Sequence, residues 1–424
     1  MTPDDPAALR TADRAPAADS TLWWERPDLG YVGRDLRLAG RSLAELAHAA
    51  GGPAFFYSGA RVLENLRRIK AALASTGLDH RIYYAMKANR YGPLLTWIKA
   101  SGLAGIDVCS PNELLFARQC GFQAEEISYT ATSVSNADLD IVARHPGTWV
   151  NADSLSTIRR LGERCPGRSI GIRVNPAMGV GYGENQLLRY SGDKTSKFGI
   201  YRDRFEEVLD LARSYGMKVQ GIHFHTGCGY LNAQLPAWRE IVRECTWFLD
   251  RLEDPRYVNL GGGLGVPHVA TDRALDLEAW AAVIRDAFGG RGVQVAVEPG
   301  DYVVKDAGVL VLQVNTVERK RGTDFVGVDG GFNLAMEPVF YKLPCEPAAC
   351  RLPANRARAL APDALRTVTI AGNINEALDI WADGVALPAL VEGDYLALLN
   401  AGGYATAMGS NHCMRAQAQE FLLV

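Results

Sequence analysis

The sequence lacks any run approaching the roughly 20 consecutive apolar residues that a bilayer span requires, so nothing in it predicts a transmembrane helix. It also lacks an excess of charge of either sign: 48 acidic residues stand against 45 basic ones. That balance offers no polycationic face for nucleic acid or for an anionic membrane. Its eight cysteines, Cys109, Cys120, Cys165, Cys228, Cys245, Cys345, Cys350 and Cys413, include no C-x-x-C pair and no metal-ligand spacing, which argues against a metal site. A reducing cytoplasm is the expected home. Residues 1–20 are rich in Ala, Pro and Asp, lack an apolar stretch of signal-peptide type, and read as a disordered tail.

What is present is enough material for two domains, at roughly 150 residues per domain. Between residues 80 and 300 short apolar or β-branched runs alternate with longer amphipathic stretches, the rhythm of strand-helix units around a parallel sheet. The strand candidates are 80–88, 105–110, 126–132, 148–154, 169–176, 219–227, 257–263 and 293–300, with helical periodicity over 203–214 and 237–252. Eight such units close a (β/α)8 barrel. After 307 the pattern becomes strands without long helices between them, at 308–318, 323–331, 366–371, 393–400 and 420–424, which reads as a β domain. The expected division is therefore a tail over 1–20, an N-terminal segment over 21–52 that pairs with the β domain, a barrel over 53–306 and a C-terminal β domain over 307–424.

Four features fall at the C-terminal ends of barrel strands, the rim where this architecture places its chemistry. Lys87 closes the otherwise uncharged run Tyr83-Tyr84-Ala85-Met86-Lys87-Ala88-Asn89. A lysine leaving an apolar strand is desolvated, which disfavours the ammonium and leaves an amine able to condense with a carbonyl; pyridoxal phosphate is the commonest such partner. The alternative is a lysine that snorkels into water. His223 and His225 stand two apart and share one strand face, where an imidazole can stack on a flat ring or serve as a hydrogen-bonded core residue. Gly261, Gly262 and Gly263 follow a strand and either nest a phosphate or make a tight turn. Glu298 ends the eighth strand, where a carboxylate can hold a proton on a pyridine nitrogen or cap the next helix.

The segments YYAMKAN (83–89), DVCSPNE (107–113), SKFGI (196–200), GIHFHTG (221–227), NLGGG (259–263), EPG (298–300) and GDYLALLNAGGY (393–404) together resemble the diaminopimelate and ornithine decarboxylase family, the barrel-type, fold type III pyridoxal phosphate enzymes, across residues 53–424. The resemblance implies an alanine-racemase-like (β/α)8 barrel with a C-terminal β domain, pyridoxal phosphate as cofactor, lyase chemistry on a small amino acid, and a homodimer with shared sites. It implies Lys87 as the Schiff-base lysine, His225 as the residue on the ring, Glu298 as partner of the pyridine nitrogen, and Gly263, Gly300 and Tyr404 as phosphate-binding positions. Asp107 and Glu113 match acids near the cofactor. Cys228 stands where the family usually has a serine.

Departures from the family pattern set the expectations about substrate. Diaminopimelate decarboxylases grip a distal carboxylate with two arginines; here those positions hold Asp301 and Glu337, the latter in a segment ending at Tyr341, and Glu376 adds a third acid. Two reversed charges predict a substrate with a distal cation, lysine-, ornithine- or arginine-like, and argue against a standard diaminopimelate decarboxylase. The alternative is that Asp301 or Glu337 pairs with an arginine such as Arg415. Asn375 replaces the family's cysteine before Glu376, and a carboxamide is no general acid. This leaves Lys87, His223 or water as proton donor, or a racemase, epimerase or other non-decarboxylating enzyme. A cofactor-free regulatory homologue is the third reading.

Overall fold

The computed structural model describes residues 22–190, 192, 195–415 and 417–424; the expected tail over 1–20 lies outside them. Three short strands open the described chain: β1 (Leu29–Val32), β2 (Asp35–Leu38) and β3 (Arg41–Ser42) form an antiparallel meander. A single strand, β4 (Ala54–Ser58), then precedes the barrel.

Eight parallel strands close on themselves: β5 (His80–Ala85), β6 (Gly105–Val108), β7 (Ile127–Tyr129), β8 (Trp149–Ala152), β9 (Ser169–Arg173), β10 (Lys218–His223), β11 (Tyr257–Asn259) and β12 (Gln294–Val297). Closure is made by β12 on β5, with Val295 opposite His80 and Val297 opposite Ile82. Such strands are covered by helices outside and by side chains inside, which is why they read as apolar runs and not as alternating ones. Several helices start where a polar side chain caps the first turn. Ser110 caps Pro111–Gln119 by accepting from the Glu113 amide, and Ser135, Ser154 and Asp276 do the same for later helices.

The predicted barrel and β domain are both present. The strands end sooner than the apolar runs suggest: β5 stops at Ala85 and the chain turns through a 3-10 segment, Met86–Ala88, that lifts Lys87 onto the rim. The C-terminal sheet is built around the 13-residue β13 (Gly308–Lys320), with β14 (Thr323–Val328), β15 (Pro347–Ala349), β16 (Leu365–Ala371), β17 (Ile380–Pro388), β18 (Tyr395–Leu398) and β19 (Gln419–Leu423). Its order is β15-β18-β13-β14-β16-β17, and β4 inserts between β13 and β19. Alternation along β4 explains the insertion. Phe55 and Tyr57 join the core of the β domain with Leu310 and Leu312, while Ala54 and Phe56 face Leu36, Leu43, Val309 and Val311. The β1–β3 meander is tied to the same domain by Leu36 N to Cys350 O (2.9 Å) and Leu352 N to Arg34 O (2.8 Å).

Candidate active site

The barrel rim gathers its charged groups from five strands. Lys87 Nζ, beyond β5, lies 3.1 Å from Oδ2 of Asp107 on β6. Burial alone would lower the Lys87 pKa, as the sequence predicts, but the opposing pull of Asp107, with Cys109 and Glu298 behind it, overrides this and raises it. Lys87 is thus held as an ammonium, contrary to expectation. Its side chain is 37% exposed, so solvent moderates the effect. Asp107 is itself pushed up to about 7 by burial and by Glu298, with Lys87 opposing.

Glu298, just past β12, is buried and fully engaged. Its Oε1 accepts from Ser128 Oγ (2.8 Å) and Asn259 Nδ2 (2.6 Å), and its Oε2 lies 2.9 Å from His223 Nε2. Burial acts to raise its pKa, yet His223, Lys87 and the Ser128 hydrogen bond hold it down to about 2. Behind it, Asn151 donates to Ser128 and Thr130 and accepts from Tyr257 OH, forming a polar layer across the barrel. Such a layer keeps a carboxylate ionised and fixed in place inside an apolar shell.

His225 follows β10 and accepts from the Gly262 amide through Nδ1 (3.3 Å), with the Tyr190 ring edge-on at 5.1 Å. Burial, then Lys87 and Arg173, hold its pKa well below the usual range, so the ring is neutral. Gly263 adopts φ +99°, and a side chain there would run into the Gly227 carbonyl and the Tyr230 ring. Gly300 lies close to Ala85, Ala88 and the Tyr404 hydroxyl, and the Tyr404 amide donates to Ala88 O (2.7 Å). Cys228 donates through Sγ to Tyr190 OH at 3.3 Å.

Beside this rim is a pocket lined by Tyr190, Cys228, Asp301, Glu337, Tyr341 and Tyr404. Its acidic wall is not bare. Lys305, one turn beyond Asp301, lies 3.3 Å from Asp301 Oδ1 and also bonds Glu337 Oε2, with all three side chains mostly covered. Burial raises both carboxyls, Glu337 to about 7 against the pull of Lys305. The cation that meets these acids is Lys305; Arg415 is exposed. The i, i+4 spacing of Asp301 and Lys305 was the available sequence signal.

Two expected residues are placed elsewhere. Asn375 and Glu376 sit exposed on the loop between β16 and β17, where Glu376 Oε1 lies 3.5 Å from His412 Nε2. Glu113 accepts from the Cys109 amide (2.8 Å) and Sγ (3.2 Å), bracing the turn after β6. Ser128, Asn151 and Asn259 were missed because a lone polar residue inside a short apolar strand gives no periodic signal.

The chain's own groups fit pyridoxal phosphate. Asp107 Oδ1 and His223 Nδ1 are buried without hydrogen-bond partners, and among the described residues the Gly263 amide has no acceptor. A lysine, a fixed carboxylate and an uncommitted backbone N–H at a glycine supply an attachment point, a partner for a ring nitrogen and part of a phosphate cradle.

Residues 60–305 match the pyridoxal-binding domain of the pyridoxal-dependent decarboxylases. The diaminopimelate decarboxylase of Methanothermobacter thermautotrophicus is 31% identical over 401 residues, covering 92% of this chain and 90% of that one. That of Escherichia coli K12 is 30% identical over 407 residues, covering 92% of each. The crystal structure of AQ1208 from Aquifex aeolicus superposes with a TM-score of 0.82 at 27% identity, covering 94% of this chain and 92% of that one. These likenesses overturn the expectation that reversed charges at Asp301 and Glu337 exclude a standard diaminopimelate decarboxylase in favour of a distal-cation substrate. The physical reason is Lys305: the two acids are already met by an internal cation and do not form an open receptor for an external one.

Proposed function

The chain belongs to the pyridoxal-dependent decarboxylases, and from that premise we propose that it removes one carboxylate of diaminopimelate as carbon dioxide and leaves lysine. The observation that carries this reading is the likeness to diaminopimelate decarboxylases over nine tenths of both chains. Pyridoxal phosphate, when bound, supplies the electron sink that lets an α-carboxylate depart. Lys87 would hold it covalently and Glu298 would keep a proton on its ring nitrogen, with His225 against the ring and Gly263, Gly300, Tyr404 and Cys228 around the phosphate. Asp107 keeps a proton on Lys87 Nζ. Because Asn375 has no proton to give in this range, Lys87 Nζ is the atom that returns one to the substrate carbon.

Diaminopimelate carries an ammonium and a carboxylate at each end, and the cavity is lined by Tyr190, Tyr341 and Tyr404 together with Asp301 and Glu337, whose charge the buried Lys305 offsets from behind. Glu376 and Asn375 would reach substrate across a homodimer interface. The exposed apolar side chains of Phe340, Leu378 and Met414 around their loop support that assembly. No helix among the described residues is long and apolar enough to cross a membrane. No disulfide joins the cysteines of the described residues, which suits the cytoplasm.

The test is to load purified protein with pyridoxal phosphate and follow carbon dioxide and lysine from diaminopimelate, with lysine, ornithine and arginine in parallel. Equal molar yields of both products are expected. Turnover of another amino acid with none from diaminopimelate would refute the substrate assignment.

A further inference from the structure

Arg173 is the last residue of β9 and stands opposite His223 in the register with β10, one strand from the histidine that binds Glu298. It is 7% exposed. Its guanidinium lies over the Phe198 ring, 4.3 Å from the centroid, and among the described residues it makes no hydrogen bond and no ion pair. A guanidinium cannot shed its proton to escape burial, and its five donors are costly to leave unmet. The surrounding acids, Asp153, Glu298 and Asp107, act on it through space without contact. Two of them are otherwise committed: Glu298 to His223, Ser128 and Asn259, and Asp107 to Lys87. A buried, stacked and unpaired cation on the rim of a barrel is the arrangement of a receptor for an anion that arrives with the reactants.

We propose that Arg173 is an anion-binding residue of this site, its guanidinium taking one oxygen anion of the bound reactants, either the phenolate oxygen of the pyridoxal ring or a carboxylate of the amino acid. This assignment rests on the cofactor and substrate readings above and adds to them a residue placed by neither. The Phe198 ring backs the guanidinium, and a guanidinium offers its donors as a planar fork suited to an oxygen anion or a carboxylate.

The two sources separate in one set of measurements. The parent protein, Arg173→Lys and Arg173→Met are loaded with pyridoxal phosphate. The cofactor dissociation constant and the pH midpoint of its absorbance change are read without amino acid, and the dissociation constant of L-lysine is then read from the spectral change it causes. A ring-oxygen contact predicts at least tenfold weaker cofactor binding and a displaced midpoint in Arg173→Met, largely restored in Arg173→Lys. A carboxylate contact predicts parental cofactor values and at least tenfold weaker lysine binding. Parental behaviour of Arg173→Met in both measurements overturns the proposal. If Arg173→Met does not fold, phenylglyoxal labelling of Arg173 in the parent decides: protection on adding cofactor or lysine supports the proposal, and equal labelling in all states overturns it. A parent protein whose spectrum lysine leaves unchanged speaks against the substrate reading, and the cofactor measurements then decide the role of Arg173.

Discussion

Lys305 shows how one buried side chain reverses the meaning of its neighbours. Without it, Asp301 and Glu337 would be two acids aimed at substrate; with it, they are a closed ionic cluster with little net charge to offer. Removing one member of such a cluster strands the others, at about 3–5 kcal/mol. Lys305→Met is therefore expected to lose that much in denaturant unfolding, and combining it with Asp301→Asn and Glu337→Gln is expected to recover most of the loss. Glu298 makes a pH-dependent contribution. Its folded pKa, about 2, lies below the ordinary glutamate value of 4.5, so its stabilisation is present above pH 4.5 and is lost as pH falls toward 2. Unfolding of the parent and Glu298→Gln at pH 7 and at pH 2 to 3 checks it: the gap is expected to be wide at neutral pH and to shrink in acid.

At the scale of elements, function depends on where strands stop. Ser110 ends the run after β6 and starts the Pro111–Gln119 helix, and through it Glu113 is set against Cys109, two residues from Asp107. Ser110→Ala is expected to cost about 1 kcal/mol in thermal or denaturant unfolding, while leaving the helix in place by circular dichroism. The barrel was legible because its buried parallel strands are uniform apolar runs between amphipathic helices, and the rim residues could be read from their position at the ends of those runs. Strand β17 was not legible: Asp383 and Gly384 interrupt its apolar residues, and a register shift near Ala382 breaks the alternation. Pro347–Ala349 is too short to carry a pattern. The Glu298 network and the Lys305–Glu337 half of the ionic cluster were missed for a different reason, since both join residues distant in sequence and only the closed barrel and the docked β domain bring them together.

At the scale of the whole molecule, the exposed loop of Asn375 and Glu376 shares one face with Phe340, Leu378 and Met414, which are 46%, 45% and 92% exposed. Phe332 links this face, touching Phe340 edge-on and stacking on His412, which in turn meets Glu376. If a second copy covers it, Leu378→Asp is expected to weaken the dimer by about 30-fold or more, as for a central interface residue. Sedimentation would then show monomer at micromolar concentration, with decarboxylation falling in step. A different consequence follows from β4. The sheet that flanks the barrel takes one of its inner strands from upstream of the barrel and covers it with β19, so synthesis on the ribosome leaves Ala54–Ser58 without its parallel neighbour until Gln419–Leu423 emerges. The nascent protein is thus open to chaperones and proteases until then, and separately translated halves divided at residue 306 would each carry a raw strand edge.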